Sequence, residues 1–220
     1  MLRNSLLTFC LSCSLVIVLS AQDKVYKAKI STNLGDMIVK LHNDTPVHRD
    51  NFIKFVENKW YDGTLFHRVM PGFMAQGGDP NSVGAAPDKP LGADSCEKLE
   101  NEIKSHYFHK KGALASARLP DQNNPTKQSS ACQFFLVQGV RYSDGQLDNM
   151  ETANFKFSEE ARAHYKTVGG APHLDVNYTI FGEIVEGIEV LDLICAMRTG
   201  ANIVNRPNAD VVMHTVRMIE

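Results

Sequence analysis

The stretch Phe66-His67-Arg68-Val69-Met70-Pro71-Gly72-Phe73-Met74-Ala75-Gln76-Gly77-Gly78-Asp79 reads as a strand, a Pro-Gly turn and a second strand. The Gly77-Gly78 pair that follows lets the backbone pass close to another element. Alternation along a strand puts Phe66 and Arg68 on one face of the first piece, and Met74 and Gln76 on one face of the second. The expected product is one Arg and one Gln beside aromatic and thioether surface.

Outward from this stretch the chain alternates in the same manner. Tyr26, Ala28 and Ile30 oppose Lys27, Lys29 and Ser31, a half-buried strand. A turn at Asn33-Leu34-Gly35 leads to a partner strand carrying Met37, Val39 and Leu41. Thr45 is a predicted N-cap with Pro46 at the first helical position, and Phe52, Phe55 and Val56 form the helix's apolar stripe. On the other side, residues 80–96 have no period and read as a long surface loop. Gly112–Ala117 is a strand of small residues. In the run Ala131–Val137, Gln133 and Phe135 share one face while Phe134 and Leu136 share the other. Residues 141–171 are polar, an inserted and partly helical excursion with too few apolar residues for a core of its own. A strand at Thr179–Ile184, a helix at Glu186–Met197 and a final strand at Val211–Ile219 complete the chain. About eight short strands and two helices predict a mainly β domain over 22–220: a closed eight-stranded antiparallel barrel capped by two α-helices.

The 220 residues are 43% hydrophobic and 22% charged, which fits a single globular domain with a sizeable core. A net charge of −2 gives no support to nucleic-acid binding or to a polybasic membrane role. Arg3, the apolar run Leu6–Leu19 and Ser20-Ala21 have the layout of a secretory signal peptide over residues 1–21, cut after Ala21; the run is short for a membrane anchor. A periplasmic or secreted protein without a stable membrane span is therefore expected. Removing Cys10 and Cys13 leaves Cys96, Cys132 and Cys195, an odd count with at least one thiol unpaired within the chain. Cys132 and Cys195 are read as buried small hydrophobes and Cys96 as a loop residue. His106 and His109 lack further ligands at metal spacing, so no metal is expected, and no cofactor either.

The 66–79 stretch, Gln133-Phe134-Phe135, His173-Leu174-Asp175 and Phe181-Gly182 together resemble the cyclophilin-type peptidyl-prolyl cis-trans isomerases, essentially from Tyr26 onward, with 141–171 as the main extra. The resemblance implies an eight-stranded barrel with two capping helices and a surface groove that binds proline-containing segments of unfolded or exported chains. It implies Arg68 and Gln76 as catalytic residues. It also implies Phe73, Met74, Phe135 and Leu174 as the pocket for the proline ring, with Gln133, Tyr178 and His173 as further substrate-binding residues. The protein is expected to act as a monomer that assists the folding of exported proteins. Three positions depart from the commonest family pattern. His173 stands where many members have a tryptophan that helps bind cyclosporin. Tyr178 replaces a histidine, as in members from bacteria, and Ser116-Ala117-Arg118 replaces Met-Ala-Asn. A competing reading is a binding module that holds proline-containing segments without turnover. A hydrolase is disfavoured, because neither a G-x-S-x-G motif nor a Cys–His constellation is apparent.

Overall fold

A computed structural model describes residues 24–93, 96–200 and 205–220; the signal peptide expected over 1–21 lies outside the described residues. Ten strands run in chain order: β1 (Tyr26–Thr32), β2 (Gly35–Leu41), β3 (Arg68–Met70), β4 (Met74–Gly77), β5 (Lys98–Leu99), β6 (Ala113–Ser116), β7 (Ser129–Ser130), β8 (Phe134–Val137), β9 (Ile180–Glu186) and β10 (Met213–Ile219). The helices are α1 (Pro46–Glu57), α2 (Asp144–Asp148), α3 (Glu159–Thr167) and α4 (Ile188–Cys195).

Eight strands form one antiparallel sheet in the order β10-β1-β2-β9-β6-β8-β4-β3, and β5 pairs with β7 apart from it. The sheet is curled, and its edge strands β3 and β10 share no ladder. This differs from the closed barrel expected. β3 is only three residues long, and the seam is made by the chain just before it, through the isolated bridge Leu65–Val212 and the hydrogen bond from Phe66 N to Val211 O at 2.9 Å.

The inner face of the sheet carries Ala28, Ile30, Met37, Val39, Leu41, Leu114, Phe134, Leu136, Phe181 and Val216. Phe52 and Val56 of α1 and Val190, Leu191 and Ile194 of α4 pack against them. These two helices thus bury their apolar stripes on the sheet, as amphipathic helices must. Thr45 makes no side-chain cap, contrary to expectation. The free N–H groups of the first turn are taken by Glu102, whose carboxylate accepts from Val47 N at 3.1 Å and His48 N at 2.9 Å. A distant carboxylate satisfies the same donors and suits the positive end of the helix.

The excursion at 141–171 does have a small core. Leu147, Phe157, Ala161 and Tyr165 are buried together, with Phe108 from outside the excursion packed against them. Tyr142, Met150 and Phe155 of the excursion pack against this core as well, so the expectation that the excursion has too few apolar residues for a core of its own is corrected. Cys96 and Cys132 form a disulfide across a Cα–Cα distance of 6.0 Å, so the reading of Cys132 as merely a buried small hydrophobe is corrected, while one thiol is left unpaired as expected. Cys132 is buried as expected, but bonded. Cys195 is free and buried, and burial pushes its thiol up to about 12.

Candidate active site

The register of the sheet places the site. Arg68 on β3 lies opposite Gln76 on β4, Gln76 opposite Phe135 on β8, and Phe135 opposite Ala115 on β6. These side chains form a row across four adjacent strands, on the face away from the main core. The Pro71-Gly72 turn closes the β3–β4 hairpin, with Phe73 N donating to Met70 O at 3.0 Å and Gly72 at φ +72°. At Gly78, φ is +90° and a Cβ would collide with the carbonyl of Cys132. The close backbone approach expected from Gly77-Gly78 is therefore made against the segment bearing Gln133. Phe66 departs from the expected alternation. It precedes β3 and is wholly buried, edge-on to Phe134 at 6.3 Å, so it belongs to the core while Arg68 faces the site.

Arg68, Phe73, Met74, Gln76, Ala117, Arg118, Phe135, Leu174 and Tyr178 line an open hollow of about 150 Å³. That is less than a drug-sized cavity and suits one small ring. Phe135 and Tyr178 meet edge to face at 5.6 Å. Phe135 and Leu174 are buried, with Phe73 and Tyr178 partly so.

A relay of amides holds the guanidinium. Arg68 Nη1 donates to Gln76 Oε1 at 3.2 Å, Gln76 Nε2 donates to Gln133 Oε1 at 2.9 Å, and Gln133 Nε2 donates to the carbonyl of Ala93 at 3.1 Å. Arg68 Nη2 rests on Met70 Sδ at 3.2 Å. No carboxylate pairs with Arg68 among the described residues. Burial draws its pKa below the ordinary guanidinium value, yet a guanidinium stays protonated at neutral pH. The result is an unneutralised cation with fixed donors facing an apolar hollow.

Of the residues expected at the site, Arg68, Phe73, Met74, Gln76, Phe135, Leu174 and Tyr178 converge on the hollow. Gln133 stands behind Gln76, 2% exposed, and fixes that amide rather than facing the hollow. His173 lies at the rim, its ring 5.1 Å from that of Phe73, and is not part of the lining. Beneath the floor lies a network that the sequence did not suggest. Asp175 Oδ1 accepts from His109 N and contacts His109 Nδ1, both at 2.8 Å, while Tyr165 Oη donates to Asp175 Oδ2 at 2.7 Å. The His109 ring stacks on Phe135 at 6.2 Å. Tyr165 belongs to α3, so the excursion is tied to the back of the hollow. Among the described residues there is no cluster of side chains able to hold a metal ion.

The family model for cyclophilin type peptidyl-prolyl cis-trans isomerases matches residues 27–218. The chain is 33% identical over 200 residues to a Staphylococcus epidermidis protein named as a peptidyl-prolyl cis-trans isomerase, covering 90% of this chain and 94% of that one. It is 34% identical over 199 residues to a Streptococcus pyogenes protein named as a bifunctional phosphatase/peptidyl-prolyl cis-trans isomerase, covering 88% of this chain but only 39% of that longer protein. In three dimensions it resembles a Cryptosporidium parvum cyclophilin type peptidyl-prolyl cis-trans isomerase, with a TM-score of 0.64 and 20% identity over 90% of this chain and 99% of that one. That protein was also solved in the presence of the dipeptide Ala-Pro, and this second structure has a TM-score of 0.63. The chain belongs to the cyclophilin-type peptidyl-prolyl cis-trans isomerase family.

Proposed function

We propose that the hollow beside Arg68 receives the proline ring of an X–Pro segment and that Arg68 drives rotation of the bond before it. Rotation about an amide meets a barrier of roughly 18–20 kcal/mol because it breaks conjugation between nitrogen and carbonyl. For X–Pro the isomers differ by only about 0.5–1 kcal/mol. The catalyst therefore needs neither a nucleophile nor a base. It must favour the twisted state, in which the proline nitrogen becomes pyramidal and recovers a lone pair. A protonated guanidinium whose orientation is set by Gln76 and Gln133 can donate to that lone pair. The wall of Phe73, Met74, Phe135 and Leu174 holds the ring and lowers the local dielectric, which strengthens the donation. Each ~1.4 kcal/mol gained only in the twisted state is about tenfold in rate. The observation that carries this reading is Arg68 facing the hollow with its amide brace and, among the described residues, without a carboxylate.

The clients we infer are exported chains. The Cys96–Cys132 disulfide suits an oxidising compartment, and residues 1–21 have the layout of an export signal. Among the described residues, no helix is long and apolar enough to cross a membrane. The test is the refolding of a denatured protein whose slow phase is limited by an X–Pro bond. The slow phase is expected to quicken in proportion to added protein, and the envelope or secreted fraction of cells is expected to hold a chain starting at Gln22. A protein that turns over short X–Pro peptides but leaves the slow phase unchanged would remove the folding role. One retained in the cytoplasm would remove the exported clients.

A further inference from the structure

We propose that Arg118 is a specificity-determining residue that reads a carboxylate side chain flanking the proline, so that segments with Asp or Glu next to Pro are the preferred substrates. The inference rests on the hollow being the proline site. Arg118 follows β6 and lines that hollow. Its side chain is only 5% exposed, so most of its surface packs against protein.

Four contacts fix it in place. Nε donates to the Asn177 carbonyl at 2.7 Å, Nη1 donates to the Leu119 carbonyl at 3.0 Å and to Asp121, and Cζ sits 4.6 Å from the centre of the Tyr178 ring. Nη2 has no protein acceptor among the described residues. The turn that presents the Asn177 carbonyl is itself held in an unfavourable shape. Val176 is at φ +56°, a left-handed conformation that a β-branched residue rarely adopts. Lys127, also left-handed at φ +55°, donates to Asn177 Oδ1 at 2.7 Å from the other side. Strain kept beside a binding hollow, where surrounding contacts over-determine it, is the mark of a positioned group.

The charges at this end of the hollow are unbalanced. Arg68, Arg118 and Lys127 are cationic, and among the described residues Asp121 is the carboxylate paired with Arg118, well exposed at 62%. Asp175 is turned inward, with both oxygens committed to His109 and Tyr165. A substrate carboxylate arriving next to the proline would meet Nη2 of a guanidinium already oriented and largely dehydrated, where an ion pair is screened less than at an open surface. Glutamine at the same place, of equal size and without charge, would gain far less.

The experiment compares matched short peptides with Glu or Gln immediately before the proline, and a second pair with Glu or Gln immediately after it. Each is turned over by the full protein at low and high salt. One pair is expected to show a kcat/KM about tenfold higher for Glu, carried by KM and reduced by salt. Asp121→Asn removes the competing carboxylate at an exposed position. It is expected to widen the Glu-to-Gln ratio. Arg118→Gln is expected to bring the ratio to about one. Equal turnover of Glu and Gln peptides in both pairs overturns this inference alone. No turnover of any of the four overturns the proline site and the inference together.

Discussion

The molecule has two surface hollows of the same volume, about 150 Å³ each, and they differ in what becomes of their charges. The second is lined by His42, Tyr107, Phe108, Lys110, Ile180 and Glu183, among others. Lys110 Nζ is closed by Glu183 at 2.6 Å, His42 stacks on Tyr107 at 4.1 Å, and Tyr107 Oη donates to Asp44 at 2.6 Å. Its one lysine is neutralised. In the first hollow Arg68 is braced by neutral amides and by a thioether, none of which cancels its charge. Volume is shared by the two; a fixed donor left unneutralised among the described residues is what sets the first apart.

The largest expected effect tests how the first hollow is backed. The disulfide ties Cys132, next to Gln133, to the loop that carries Ala93, and it closes a separation of 36 residues. In the chain-entropy picture, Cys96→Ser with Cys132→Ser lowers stability by about 4 kcal/mol, readable as a shift of the urea midpoint. An unchanged midpoint would mean that the loop is held by its other contacts, such as Arg206 Nη1 donating to the carbonyl of Ala86 at 2.7 Å.

A second difference concerns pH. His67, beside Arg68, is buried with neither ring nitrogen partnered, and burial pushes it down to about 4. The unfolded chain therefore binds a proton at this residue before the folded one does. Its contribution is fully present above about pH 6.5 and is lost as pH falls through about 4, a change of up to about 3 kcal/mol. His67→Leu is expected to flatten the acid limb of stability against pH over that window. An identical limb in the variant would place the acid sensitivity elsewhere.

Arg68→Lys keeps the charge and discards the fork. Because the proposed donation depends on fixed geometry, turnover of an X–Pro peptide is expected to fall about a hundredfold. A change of less than threefold would mean that charge alone suffices. Gln133→Leu removes the brace behind Gln76 and is expected to reduce turnover about tenfold with little change in KM. Lys110→Ala, in the self-neutralised hollow, is expected to leave turnover unchanged. A loss there comparable to that at Arg68 would break the comparison itself.

The part of the site that was legible in the sequence is the part built by neighbouring residues. Met74 and Gln76 share a face because they are two apart on a strand, and the Pro71-Gly72 turn brings Arg68 opposite Gln76. Phe134 and Phe135 separate into core and hollow by the same alternation. What was not legible depends on residues far apart in the chain. Gln133 reaches Ala93 across 40 positions and Asp175 reaches His109 across 66. No local pattern shows that Cys96 and Cys132 will meet, or that Glu102 will cap a helix that begins at Pro46. Phe66 was misplaced for a related reason. Its alternation was counted through residues that are not yet strand. The eight-stranded antiparallel sheet followed from the count of strands, whereas its open edge between β3 and β10 did not.

The most direct test of the central claim is the cis-to-trans rate of a short Ala–Pro peptide with the 22–220 chain, measured beside an Arg68→Ala variant shown by circular dichroism to be folded. The account predicts strong acceleration by the wild type and a loss of about a thousandfold in the variant. A folded Arg68→Ala variant that keeps the wild-type rate would contradict it.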